Sequence, residues 1–369
     1  MFLALREMHR AKVRFGLLIV AIALLVFLIL FQQSLQNGLL TSFVGGIRNQ
    51  SAPVLVYSTD GQRFIQGSII TPDLESEVRA SNAVDEVSRI GQGTFTVAAG
   101  TETFDTSIVG YESLGAPERL SAGRTPNAPG EAIGADADID QGFAIGDVVT
   151  VIPGGATLTI VGVATDVQLN AGPTLFVDYD TYLEVVASVN PDAQTALPSV
   201  LGVSPASGFS PADTVAALNA LSPDLDALTR ADAADLAPGV DQIRQSFQII
   251  FALYAIVVPC VTGLFFLIIT FQKAAALTLL RALGAPARRL VTSLLFQAVL
   301  IVGGGYALGT ALYYPISQQR LGGIALRFET ASVIGWAIAL MVLGVGSSLI
   351  AARRVLRIDP IDATTGVGQ

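Results

Sequence analysis

The residue types that usually carry chemistry are scarce in this chain of 369 residues. There is one histidine, His9, and one cysteine, Cys260, so neither a His/Cys metal set nor an internal disulfide can be assembled. The GxSxG and HExxH patterns are absent. The two lysines, Lys12 after Ala11 and Lys273 after Gln272, both lack the Gly-Lys-Ser/Thr ending that a phosphate-binding loop requires. Asp136, Asp138 and Asp140 alternate like the start of a calcium loop. The glycine and closing glutamate of an EF-hand are missing, however, and the run reads as a solvated acidic turn. What remains is a segment suited to recognition, 277-LTLLRALGAPARR-289. Leu279, Leu280 and Leu283 form an apolar cluster around Arg281, and Gly284-Ala285-Pro286 stops a helix. Such a helix can fill a groove on a partner, with the arginine donating to carbonyl or acidic groups. The same residues also suit an amphipathic turn on a membrane surface with snorkelling arginines.

The elements that place this segment are read from composition. The hydrophobic share is 51% and the charged share 14%, where a soluble protein carries roughly a quarter charged residues. The apolar residues gather in four runs without a charge, 15–31, 247–271, 290–314 and 332–352. A bilayer core about 30 Å thick takes roughly 17–25 helical residues, so each run can span it. The first run resembles a signal peptide, with Arg6, Arg10, Lys12 and Arg14 before it, but no small-x-small cleavage site closes it. An uncleaved anchor over 15–45 is expected. The runs hold no acid, base or histidine, which speaks against a proton relay or a charged channel ring. In the third run, 303-GGGYALG-309 sets Gly305 and Gly309 four residues apart, a spacing that lets another helix approach closely.

Charge sets the orientation. Basic residues cluster before the first run, between the second and third (Lys273, Arg281, Arg288, Arg289), and after the fourth (Arg353, Arg354, Arg357). By the positive-inside rule these three groups are cytoplasmic, so both termini are cytoplasmic and residues 33–246 are outside. That external stretch holds 8 arginines against 26 acids, a balance of −18, with +9 elsewhere giving the net −9. A domain this acidic is unsuited to nucleic acid or to an anionic membrane surface.

Within 46–240 short β-rich runs alternate with helical ones. Strands are expected at 53–57, 95–98, 104–109, 148–152 and 158–163, with the last two a hairpin through Pro153-Gly154-Gly155-Ala156. A helix opens at Thr71-Pro72. Residues 200–203, 211–221 and 225–229 read as strand, helix, strand, and 233-AADLAPG-239 as a linker back to the membrane. The fold class is thus an α-helical membrane protein of four transmembrane helices with an inserted extracytoplasmic α/β (α+β) domain.

This layout, together with 273-KAAALTLLRALGAPARRLVTSLLFQAVLIVGGGYALG-309, 353-RRVLRIDPIDA-363, 123-GRTPNAPGE-131 and 145-IGD-147, resembles the permease subunits of MacB/FtsX-like ABC transporters. One departure is the uncharged stretch 274–278, where the family usually has an acidic residue. The resemblance implies a cytoplasmic N-terminus at 1–14, a MacB-like core domain at 46–240, a coupling segment at 272–289 and a cytoplasmic tail at 353–369. It implies that Leu279, Leu280, Arg281, Leu283, Gly284 and Ala285 dock a separate cytoplasmic P-loop ATPase. ATP and magnesium would then sit on that partner, and this chain would hold no cofactor and not be an enzyme. It further implies a second permease copy, often a periplasmic adaptor, and residence in the bacterial inner membrane. The expected function is ATP-driven movement of the external domain for export of a lipid, lipoprotein, peptide or hydrophobic compound. Activation of a cell-wall hydrolase without transport is the alternative.

Overall fold

The computed structural model describes residues 12–191, 196–272, 287–321 and 324–356. The chain divides into two compact units. One comprises Met1–Gln36, Gln245–Gln319 and Leu326–Gln369; the other comprises Asn37–Arg244 with Arg320–Ala325.

Among the described residues four helices are long and apolar enough to cross a membrane. They are α1 (Lys12–Arg48), α6 (Val240–Gln272), α7 (Ala287–Tyr313) and α8 (Thr330–Leu356). Both α1 and α6 outrun their apolar stretches: Asn37–Arg48 and Val240–Arg244 are part of the external unit. No proline interrupts the α1 pattern, so backbone hydrogen bonding continues past the apolar residues.

In the external unit the strands are β1 (Val54–Ser58), β2 (Val84–Ala99), β3 (Glu102–Tyr111), β4 (Leu120–Gly123) and β5 (Glu131–Ala135). They continue as β6 (Val148–Ile152), β7 (Thr157–Ala164), β8 (Thr174–Asp178), β9 (Val200–Pro205) and β10 (Leu225–Thr229). The helices are α2 (Pro72–Arg79), α3 (Tyr179–Val189), α4 (Pro211–Asn219) and α5 (Arg230–Asp235).

The long strand β2 serves two lobes. Its first half pairs with β9, in the order β10-β1-β9-β2. Its second half pairs with both β3 and β6, so that β2, β3, β8, β5, β7 and β6 pair in a ring. Closing a sheet in this way removes free edges. The ring encloses Val97, Ile108, Phe143, Val151, Leu158 and Leu175, all buried. The open lobe buries Val54, Val56, Leu201 and Val203 on one face, with α2 and α4 contributing Val78 and Leu218. A further core joins Leu55 and Tyr57 of β1 to Leu40, Val44 and Ile47 of α1 and to Ala233 and Ala234 of α5.

The β6–β7 hairpin is present, with Val149 opposite Leu158. The unit β9–α4–β10 is also present, but its strands are not neighbours: β1 lies between them, antiparallel to both. Ser210 and Asp213 close the start of α4 reciprocally, side chain to backbone in each direction, which is the capping-box signature. Two sequence expectations are corrected. Residues 233–239 are not a loose linker: Ala233 and Ala234 lie in α5, and with Ala237 they are buried in the core. Alanine and leucine between acids suit a short amphipathic turn as well as a linker, and burial of the small side chains decided between them. The acidic run 136–140 is a turn with Asp140 exposed and Asp136 half-buried, but it is solvated only in part. Asp138 is fully buried in a 3-10 turn (Asp136–Gln141), accepting from the Gln168 side chain at 2.5 Å and the Thr174 N–H at 3.2 Å. Those donors, Gln168 in the β7–β8 loop and Thr174 at the start of β8, repay the desolvation of the carboxylate.

Candidate functional site

Of the residues singled out in the sequence, Leu279, Leu280, Arg281, Leu283, Gly284 and Ala285 lie outside the described residues, as does most of segment 272–289. Gly305 and Gly309 are described, and both face α1. A methyl group added at Gly305 would meet Ile22 Cγ2 at 2.6 Å, and one at Gly309 would meet the Ala23 carbonyl oxygen at 2.5 Å and Val26 Cβ at 2.7 Å. The missing side chains are what let α7 lie against the α1 backbone. Helix α8 packs on α7 in the same way, since a methyl group at Gly344 would stand 2.8 Å from Val302 Cγ2. Hydroxyl groups add links: Tyr306 donates to the Val333 carbonyl, and Thr262 of α6 bonds Ser347 of α8 at 2.9 Å. The Trp336 indole N–H donates to Gln33 Oε1 at 3.3 Å, and its ring lies 5.4 Å from that of Phe251. Away from these contacts α6 exposes Ile249, Leu253, Ile256 and Leu264, spaced as one apolar stripe that needs lipid or another apolar surface around it.

Where α1 ends, the external unit grips it by backbone. The N–H groups of Asn170 and Ala171 donate to the carbonyls of Phe43 (3.0 Å) and Ser42 (2.9 Å), and the Gly46 N–H donates to the Gln168 carbonyl at 2.9 Å. Asn170 and Ala171 take left-handed conformations, φ 54° and 55°, which for alanine is costly unless the surroundings enforce it. At Gly45 a side chain would strike the Asp166 carbonyl, so only glycine allows the loop this close. The buried Asp138 fixes the same loop through Gln168 and Thr174. One carboxylate then joins the two long helices: Asp235 Oδ1 accepts from Arg48 at the end of α1 (2.7 Å) and from Arg244 in the first turns of α6 (2.6 Å).

The external motifs are built turns. In 123-GRTPNAPGE-131 the Glu131 carboxylate receives both arms of Arg124 and the N–H groups of Asn127 (2.8 Å) and Ala128 (3.3 Å). The Arg124 hydrogen bonds, then those backbone donors, hold the Glu131 carboxyl down at about 2. In 145-IGD-147 Asp147 accepts from the Ala144 N–H at 2.8 Å, ahead of β6. Among the described residues no group of three His, Cys, Asp or Glu is placed to hold a metal ion. The geometry of the described residues is that of long helices continuing into a folded external unit.

The comparisons agree with that layout. An uncharacterized ABC transporter permease of Mycobacterium tuberculosis is 23% identical over 371 residues, covering 99% of each chain. HrtB of Staphylococcus epidermidis, named as the permease of a hemin transport system, is 21% identical over 379 residues, again covering 99% of each. These matches run through all four spans and the external unit together. Over its whole length the chain is similar to ABC transporter permeases. No protein-family model matches it. Among solved structures, the periplasmic region of MacB from Actinobacillus actinomycetemcomitans covers 55% of this chain and 95% of its own, at 13% identity and TM-score 0.37. The extracellular domain of YknZ from Gram-positive bacteria covers 49% and 100%, at 15% identity and TM-score 0.32. Four helices long and apolar enough to cross a membrane, together with these permease relatives, indicate a membrane protein. Sequence reasoning missed Arg48, Asp235 and Arg244. Asp235 and Arg48 stand 187 residues apart, and no local spacing marks them as partners.

Proposed function

We propose that this permease turns ATP hydrolysis by a separate cytoplasmic ATPase into movement of its external domain, and that the movement exports a hydrophobic compound, lipid, lipoprotein or peptide. The observation that carries this reading is the Asp235 carboxylate, bonded at once to the ends of α1 and α6. A displacement of either helix along its axis is felt by the other and by the domain that holds them. In this reading Leu279, Leu280, Arg281, Leu283, Gly284 and Ala285 dock the ATPase, ATP and magnesium stay on that partner, and both termini are cytoplasmic. A second permease copy covers part of the exposed apolar stripe of α6, and an adaptor meets the external domain. The relatives named for transport support export over hydrolase signalling. Hemin is the compound in one relative's name, yet residues 37–244 contain no His, Met or Cys. An iron porphyrin crossing this external domain would therefore find none of those axial ligands.

The test places a cysteine at the exposed Leu236, beside Asp235, in a Cys260→Ser background. In the permease–ATPase complex its alkylation rate should differ several-fold between the nucleotide-free and ATP-bound states. Equal rates in both states would remove the Asp235 junction from the mechanism.

A further inference from the structure

Of the four described spans only α6 carries an internal proline, Pro259. Proline has no N–H, so the Ala255 carbonyl loses its donor four residues on, and the ring crowds the same turn. Within one turn the helix is loosened again. The hydroxyl of Thr262, a buried residue, lies 2.8 Å from the Val258 carbonyl and 3.2 Å from the Pro259 carbonyl. A threonine that bonds back to its own helix in this way favours a bend, and proline is a leading cause of a sharp one.

Just past the proline, α6 is pinned sideways. Thr262 Oγ1 and Ser347 Oγ of α8 lie 2.9 Å apart, and Ser347 Oγ also reaches the Gly344 carbonyl at 3.0 Å. Each hydroxyl has one proton to donate. With Ser347 donating to Thr262, Thr262 keeps its own proton for the Val258 carbonyl. One chain of bonds then runs from α8 into the weakened turn of α6. Gly263 lies against the same serine, since a methyl group added to it would stand 3.6 Å from Ser347 Cβ. Before the proline the tie to α8 is of another kind. Phe251 meets Trp336 ring against ring at 5.4 Å, a contact that can slide, while Ile249, Leu253 and Ile256 are exposed.

We infer that α6 is hinged at Pro259 with the Thr262–Ser347 pair as its pin, so that residues 245–258 swing while the helix beyond 262 stays on α8. Ile249 stands ten residues before Pro259, a lever of about 15 Å at the helical rise. A swing of about 20°, the onset of a sharp kink, moves it by about 5 Å. The hinge is a property of the membrane unit, and its test needs neither an ATPase nor a transported compound.

Spin labels test it in the full chain in lipid nanodiscs, in a Cys260→Ser background. One pair, Ile249→Cys with Leu308→Cys, reports the segment before the proline. A second, Ile268→Cys with Val299→Cys, reports the segment beyond the pin; all four side chains are exposed. By pulsed electron spin resonance the first pair should give a distance distribution about 5 Å broader than the second. Pro259→Ala, which restores a backbone donor, should narrow the first distribution to the width of the second. Thr262→Val, which keeps the shape and removes the hydroxyl, should broaden the second. The inference is overturned if the two parent distributions are equally wide, if Pro259→Ala leaves the first as broad as before, or if Thr262→Val leaves the second unchanged.

Discussion

Replacing Gly309 by alanine adds one methyl group in the wall between α7 and α1. That group would stand 2.5 Å from the Ala23 carbonyl oxygen and 2.7 Å from Val26 Cβ, where ordinary contacts to carbon begin near 3.5 Å. The two atoms belong to backbone and to a β-branched stem, so neither can swing aside. The helices must part by the better part of an ångström over this turn. The nearby contact of Gly305 with Ile22 then loosens too, because the gap is shared. Overpacking of this kind costs about 1–3 kcal/mol, of which alanine's better helix propensity returns up to about 1. Gly335→Ala is the internal control, since nothing lies within 4 Å of a methyl group there and only the propensity gain remains. The readout is built in. Trp336 is the only tryptophan and packs between Gln33 and Phe251. Its emission on heating the detergent-solubilised protein therefore reports the membrane unit alone. Gly309→Ala should lower that transition by several degrees relative to Gly335→Ala, and Gly305→Ala should do the same. If both variants melt with the control, α1 and α7 do not approach as described, and the small residues serve another surface.

Other outcomes follow from the same reasoning. The double change Arg281→Glu, Leu283→Asp should cut ATPase retention in pull-down by roughly ten- to a thousand-fold, the range for losing interface anchors worth about 1–4 kcal/mol. Normal retention would leave 277–289 as a membrane-surface turn. Cysteines at Asp105 and Asp180 should react with an impermeant maleimide applied from outside, while one at Ala287 should not; labelling at Ala287 would end the four-span topology. Acid should loosen the external domain through Glu75. Burial raises its carboxyl, but the hydrogen bonds and charges of Arg89 and Arg79 prevail and hold it below its usual 4.5. A depressed carboxyl contributes stability that is present above about pH 4.5 and lost as pH falls through the folded value. Glu75→Gln should flatten the acid limb of the unfolding curve, and an unaltered limb would assign it to other carboxylates. Asp235→Asn should shift domain stability by less than about 1 kcal/mol, as its ion pairs are solvent-exposed, and still alter the nucleotide response of a cysteine at position 236.

The sequence by itself determined the membrane character of this protein. Charge-free apolar runs of fixed minimum length and flanking arginines are local properties, and hydrocarbon leaves a backbone few options besides the helix. It also determined the short-range pieces: the β6–β7 hairpin through a Pro-Gly-Gly turn, the Thr71-Pro72 and Ser210-Pro211 helix starts, and glycine spacing on α7 that admits a neighbour. Tertiary structure alone decided which neighbour that was, because Gly305 and Gly309 mark a face and carry no information about the helix that meets it. It decided that β2 would serve two lobes, since register along a long strand depends on partners over 40 residues away. The carboxylates show the same division. Asp138 and Asp235 look like any surface acid in the sequence. One is buried because Gln168 and the Thr174 N–H repay its desolvation, and the other joins α1 to α6 because folding brings Arg48 and Arg244 to one oxygen.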